Sequence, residues 1–230
     1  MSDFSDQLAL QGLNLQAVIS LDTLPDPVRD TLADAVNELA AYRQLLLLGH
    51  GGTRLWNAVN ATGITSADPI DDYTAAVIRT WFRQSHPGVR HHILYPGTRL
   101  VPLQTLGELC GWHFPSPIMV GVNDEWGSWY AYRAAVLADT AFATTPPPDW
   151  KSACEPCEDK PCVKACPAAA VSPQGLDMHA CIEFRRQPAS PCQKRCLARL
   201  ACPVGRAHQY SREQIEYHYG RSLDTINKFS

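Results

Sequence analysis

No stretch of this 230-residue sequence approaches the length of an apolar membrane span. The opening Met1-Ser2-Asp3-Phe4-Ser5-Asp6-Gln7 has neither the basic n-region nor the apolar core of a signal peptide, and no twin-arginine pair. An excess of positive charge is also missing. Lys and Arg number 20 against 23 Asp and Glu, a net charge of −3 and a pI near 6.2. Such a chain projects no field toward phosphates, so no nucleic-acid partner and no membrane is expected. No P-loop, no G-x-G-x-x-G fingerprint and no G-x-S-x-G nucleophile elbow occurs. The length allows a sizeable core in one or two domains.

Cysteine is the one reactive residue in quantity. Eight of the nine lie between Cys154 and Cys202. Cys154, Cys157, Cys162 and Cys166 come first, Cys181 stands alone, and Cys192, Cys196 and Cys202 close the set. Both Cys166 and Cys202 precede proline. Eight thiolates satisfy two [4Fe–4S] clusters, one sulfur per iron. In ferredoxin-type runs the Cys before Pro serves the other cluster. That crossing predicts one site from Cys154, Cys157, Cys162 and Cys202, and a second from Cys166, Cys181, Cys192 and Cys196. Structural zinc and a disulfide scaffold are the competing readings. Zinc leaves the two Cys-Pro endings unexplained, and disulfides need an oxidising compartment. The spacings are looser than the standard motif, so the ligand assignment stays open. Reduced thiols without an export signal predict the cytoplasm. Cys110, the odd thiol, follows an apolar helical run and reads as buried and inert.

The rest reads as α+β. Leu15 to Ile19 suggests an edge strand. Pro25 and Pro27 open a helix whose apolar positions run from Val28 to Val36 and Leu39. Leu45-Leu46-Leu47-Leu48 is a buried strand ending in a turn at Gly49-His50-Gly51-Gly52-Thr53. That turn resembles an anion cradle or an esterase oxyanion loop, but their partner motifs are missing. His50 becomes a candidate ligand if the turn faces a pocket. Asp68-Pro69 begins a helix to about Gln84. His91 to Tyr95 is a strand, so His91 and His92 face opposite ways and cannot share a metal. Leu103 to Leu109 is a helix stopped by Gly111. Ile118 to Val122 and Ser128 to Ala138 read as paired strands. The predicted organisation is an α+β domain over 1–145, a Pro-rich linker over 146–150, an iron–sulfur module over 151–206 and a helical tail over 207–230.

Two families are similar to this pattern. The cysteine order of four, one and three resembles epoxyqueuosine reductase, a cobalamin-dependent enzyme with two [4Fe–4S] clusters. Leu109-Cys110-Gly111-Trp112 and Gly127-Ser128-Trp129 resemble its Gly-Trp and Gly-Ser-Trp segments. Where that family carries a catalytic Asp, this chain has Leu94-Tyr95-Pro96-Gly97. Gly127 to Leu137 resembles the G-G-W-F-A-I-R-G-V-V-L strand of the cobalamin-processing decyanase/dealkylase family. Asp68-Pro69-Ile70-Asp71 and Tyr210-Ser211-Arg212-Glu213-Gln214 resemble that family's D-P-V-D and Y-S-E-E-Q segments.

The resemblance implies a nitroreductase-like three-layer core holding cobalamin, with a C-terminal ferredoxin-like iron–sulfur module. The implied activity is that of a corrinoid-linked oxidoreductase. Electrons from a ferredoxin or flavodoxin would reach cobalt through the clusters, reducing it or removing its upper ligand. Trp129, Tyr130 and Arg133 would line the corrinoid or small-molecule pocket, and Tyr95 and Arg133 would be catalytic. Ordinary core packing competes for Trp129 and Tyr130, since aromatics dominate cores. A buried mid-strand Arg133 demands a partner. The alternative is a ferredoxin-like electron carrier without corrinoid chemistry.

Overall fold

The computed structural model describes residues 4–228, which form two compact units. Of these, the first comprises residues 4–111 and 130–148, the second 112–129 and 149–228.

The first unit is built on β1 (Leu15–Ser20), β2 (Gln44–Gly51), β3 (His91–Tyr95) and β4 (Tyr130–Ala138). They form one antiparallel sheet in the order β1-β2-β4-β3. Every residue of β2 is buried, which is why its apolar residues run continuously instead of alternating. Leu45 pairs with Leu137, and Leu47 with Ala135, in the middle of the core. Edge strand β1 is protected by Thr145. Its hydroxyl accepts from Val18 N at 3.0 Å, and its N–H donates to Val18 O at 3.0 Å. The proline stretch is thus anchored to the first unit, with Pro147 and Pro148 against Gly111.

Helices α1 (Phe4–Leu10), α2 (Asp26–Ala35), α3 (Arg54–Thr62), α4 (Pro69–Ser85) and α5 (Leu103–Leu109) complete this unit. Helix α4 packs on β4, α1 and α3. It presents Ile70, Tyr73, Ile78, Trp81 and Phe82 inward, the 3.6-residue stripe of an amphipathic helix. Pro69 starts it as expected, but the carbonyl of Asp68, not its carboxylate, takes the first bond, from Asp72 N at 3.0 Å. Two other expectations are corrected. Helix α2 stops at Ala35, because β-branched Val36 adopts an extended backbone (φ −138°, ψ 150°). Strand β2 runs through Gly51 and turns only afterwards, so His50 is a buried strand residue.

The second unit contains α6 (Pro161–Lys164), β5 (Val171–Ser172), β6 (Gly175–Leu176), α7 (Met178–Arg186), α8 (Leu197–Ala201) and α9 (Arg212–Lys228). Ile118 to Val122 is not a strand, and β4 pairs with β2 and β3 instead. Pro115 and Pro117 lack amide donors, and Met119 sits at φ 58° with its N–H turned back to Ser116 O, so no ladder can form there. Among the described residues no helix is long and apolar enough to cross a membrane.

Candidate metal centres and a polar cluster

The short elements of the second unit gather the thiols into two sets. Cys154 is pushed up to about 11 by burial and by the neighbouring thiols of Cys202, Cys162 and Cys157. Cys162 is raised by burial and again by Cys202 and Cys157. Cys181 is raised by burial, Cys196, Cys166 and Cys192. Cys192 is raised by burial, Cys196 and Cys166. The partners follow the crossed order, with Cys202 in the first set and Cys166 in the second. Cys166, Cys181, Cys192 and Cys196 also line one cavity of about 430 Å3, walled by Val120, Leu176 and Phe184.

Local chemistry places each sulfur. Pro161 opens α6, which carries Cys162, and Lys160 before it adopts φ 39°. The Lys160 ammonium donates to the carbonyls of Cys154 (3.2 Å) and Cys157 (3.1 Å) and pins that loop. Asp177 caps α7 by accepting from Ala180 N at 3.0 Å, and α7 carries Cys181. The Cys196 sulfur caps α8, accepting from Arg199 N at 3.4 Å. Among the described residues no three His, Cys, Asp or Glu groups could hold a single metal ion. A four-iron core does not require such convergence, because each iron takes its own sulfur. Half-buried thiols that raise one another's pKa are chemically suited to a polynuclear cation that neutralises four thiolates.

The Gly-Ser-Trp segment supports the second unit. The Arg199 guanidinium donates through Nε to Ser128 Oγ at 3.1 Å and through Nη2 to Ser128 O. It stacks over Trp129, 4.5 Å from the ring centroid, and lies 5.2 Å from that of Tyr210. Trp129 is 1% exposed, packed with Tyr210 and Ile215.

The first unit holds the remaining predicted site residues. Arg133, on β4, donates through Nε to His50 Nδ1 at 2.9 Å. This supplies the partner that a mid-strand Arg requires, and it puts the His50 lone pair on Nδ1. Tyr95, at the end of β3, is held above its ordinary value of 10.0 by burial and by Asp71 on α4, with Arg133 opposing. The phenol therefore keeps its proton at neutral pH. Tyr130 is buried on the β4 face that also carries Tyr132, their rings 6.1 Å apart and nearly perpendicular. The structure brings Tyr95, Arg133, His50 and Asp71 together, whereas Trp129 belongs to the second unit. A groove of about 520 Å3 in the first unit runs along α1 and α4 and includes none of these four residues. Sequence reasoning missed Arg185, Arg199 and Lys160. Their only sequence signal is a basic residue spaced among cysteines.

Cys110 gives a pH prediction. Burial pushes its thiol up to about 12 from an ordinary 9.0. A raised folded pKa stabilises fully below pH 9, and the contribution is lost as pH rises toward 12. Tyr95 adds a similar loss above pH 10. Unfolding free energies from urea titrations should fall from pH 9 upward, by at most ~1.4 kcal/mol per pH unit for each group titrating. Cys154, Cys162, Cys181 and Cys192 are raised as well, so Cys110→Ala should make the fall above pH 9 shallower without abolishing it, and an unchanged slope in that variant would refute the Cys110 share.

Solved structures share this fold. Epoxyqueuosine reductase from Bacillus subtilis matches with a TM-score of 0.53 at 14% identity, over 87% of this chain and 64% of its own. An epoxyqueuosine reductase with a tRNA-Tyr epoxyqueuosine-modified stem loop matches at 0.52 and 14%, over 90% and 65%. A selenomethionine-labelled epoxyqueuosine reductase matches at 0.51 and 14%, over 87% and 64%. The chain spans just under two thirds of these structures, and at this identity the likeness is one of fold. No family model and no curated protein matches the sequence.

Proposed function

We propose that this chain is an iron–sulfur reductase in which Cys154, Cys157, Cys162 and Cys202 hold one [4Fe–4S] cluster. Cys166, Cys181, Cys192 and Cys196 hold the other. The observation that carries this reading is the separation of eight thiols into two sets of four in the crossed order. The clusters supply one-electron chemistry at low potential. Protein purified anaerobically should be brown, with acid-labile sulfide and close to eight irons, the number two such clusters need. Stoichiometric zinc without sulfide would overturn the reading.

The acceptor we propose is a corrinoid held by the nitroreductase-like first unit, with a ferredoxin or flavodoxin as donor. Support comes from the resemblance of the β4 strand and from the shared fold. A corrinoid, when bound, supplies cobalt-centred redox chemistry. Arg133, oriented by His50, is suited to anchor an anionic or amide substituent, and Tyr95 holds a proton on its phenol oxygen. Tyr130 is buried on β4, so its part is to fix that face of the strand, while Trp129 is buried within the second unit against Tyr210 and Ile215. Arg133→Ala should weaken hydroxocobalamin binding about tenfold or more, the size of one charge-assisted hydrogen bond, with iron content unchanged. No change in the visible spectrum of hydroxocobalamin, with or without reductant, would favour the electron-carrier reading.

One neighbour favours a second reading. The structure solved with a tRNA stem loop bears against the expectation that no nucleic acid is involved. The net charge of −3 gives no general attraction to phosphate, so a tRNA partner would require a local cationic face. A tRNA mobility shift at two salt concentrations decides between them.

A further inference from the structure

The two thiol sets differ most in the charge around them. Arg185 lies one helical turn after Cys181 on α7 and is 8% exposed. Its Nε donates to Cys192 O at 3.2 Å. Its Nη2 donates to Tyr219 O at 2.8 Å and Gln193 O at 3.5 Å, and its Nη1 to Ser222 Oγ at 3.2 Å. All four partners are neutral. Arg199 bonds to Ser128, lies over two aromatic rings and hydrogen-bonds Tyr219, whose hydroxyl also bonds Cys196. Those partners are neutral too. A buried guanidinium without a carboxylate is costly unless another anion compensates it. The anions within reach are the thiolates of Cys181, Cys192 and Cys196.

The first set is different. Lys160 is its nearest cation, and Glu155, Glu158 and Asp159 stand exposed beside it. Between Cys154 and Cys166 three carboxylates face two lysines, a net charge of −1. Between Cys181 and Cys202 one carboxylate, Glu183, faces five cations, a net charge of +4. Net charge and hydrogen bonds to sulfur set cluster potentials, and buried charges are screened least. A site that gains negative charge on reduction is reduced more readily beside fixed positive charge.

We propose that Arg185 and Arg199 make the Cys166, Cys181, Cys192 and Cys196 site the more readily reduced of the two. The inference rests on the two-cluster reading above. The test is an anaerobic redox titration of the full chain, followed by electron paramagnetic resonance. Two reduction waves are expected. Arg185→Gln should move the higher-potential wave downward and leave the lower one in place, while Lys160→Gln should move only the lower one. Arg185→Lys, which keeps the charge, should restore most of the shift. If Arg185→Gln does not fold, Tyr219→Phe removes the hydroxyl at Cys196 with little change in shape and should lower the same wave. Full iron and sulfide content with neither wave displaced, or displacement of the lower wave by Arg185→Gln or Tyr219→Phe, overturns the inference. Absence of acid-labile sulfide in the unmodified protein instead defeats the two-cluster reading on which it stands.

Discussion

Replacing Cys162 by alanine should remove about half of the iron and leave the second unit open to proteases, with the β-sheet unit intact. The second unit cannot stand on packing alone. Helix α6 has four residues, α8 has five, and β5 and β6 have two each. Elements this short do not persist in water without external ties. Its compact apolar cluster is Trp129, Tyr210 and Ile215, flanked by Leu200 and Tyr219. Metal ligation contributes on the order of 10 kcal/mol to small metallo-domains, more than the whole stability of many domains. Without it, the thiols must stay protonated, as their raised pKa values indicate. The first unit keeps a four-stranded sheet whose central strand β2 is buried along its whole length. Iron and sulfide assays, followed by limited proteolysis with mass spectrometry, check the result. Cuts should fall within 112–129 and 149–228, and unchanged protection there would show that the unit folds without the proposed clusters.

The elements that were legible in sequence are those specified by local pattern. Leu45 to Leu48 announces a strand buried on both faces, and Pro69 with the apolar stripe to Phe82 announces α4. The Cys-Pro pairs at Cys166 and Cys202 suggested crossed sets, and the thiols that raise Cys154 include Cys202 while those that raise Cys181 include Cys166. What escaped is specified by contacts distant in sequence. Ile118 to Val122 has strand composition, but its neighbours Pro115 and Pro117 and the positive φ of Met119 prevent pairing. His50 looked like a turn residue, because its bond to Arg133 spans 83 positions. Arg199 was missed, because its partner Ser128 is 71 residues away.

Gly127→Ala and Gly205→Ala should each destabilise the second unit by roughly 2–5 kcal/mol, through backbone strain and overpacking together. Gly127 sits at φ +58°, and a Cβ there would lie 2.2 Å from Val204 O. Gly205 sits at φ +66°, and its Cβ would lie 2.3 Å from Trp126 O and 2.5 Å from Gly127 N. The obstructing atoms are backbone, so no rotamer change relieves them. The contact joins two segments distant in sequence. On one side, Asn123 closes the turn by accepting from Trp126 N at 2.7 Å and ties it down by donating to Trp112 O at 3.0 Å. On the other, Val204 and Gly205 follow directly on Cys202 and Pro203. Forcing the two apart pulls Cys202 away from Cys154 and Cys162 and loosens Ser128 from Arg199. A loss of this size corresponds to at least a tenfold gain in the open population, so iron should pass to a chelator at least tenfold faster. Gly220 is the internal control. It lies within α9 with no atom near its missing Cβ, and Gly220→Ala should be neutral or stabilise by up to ~1 kcal/mol. Equal iron-release rates in the Gly127, Gly205 and Gly220 variants would mean that this backbone contact does not hold the cysteine loop in place.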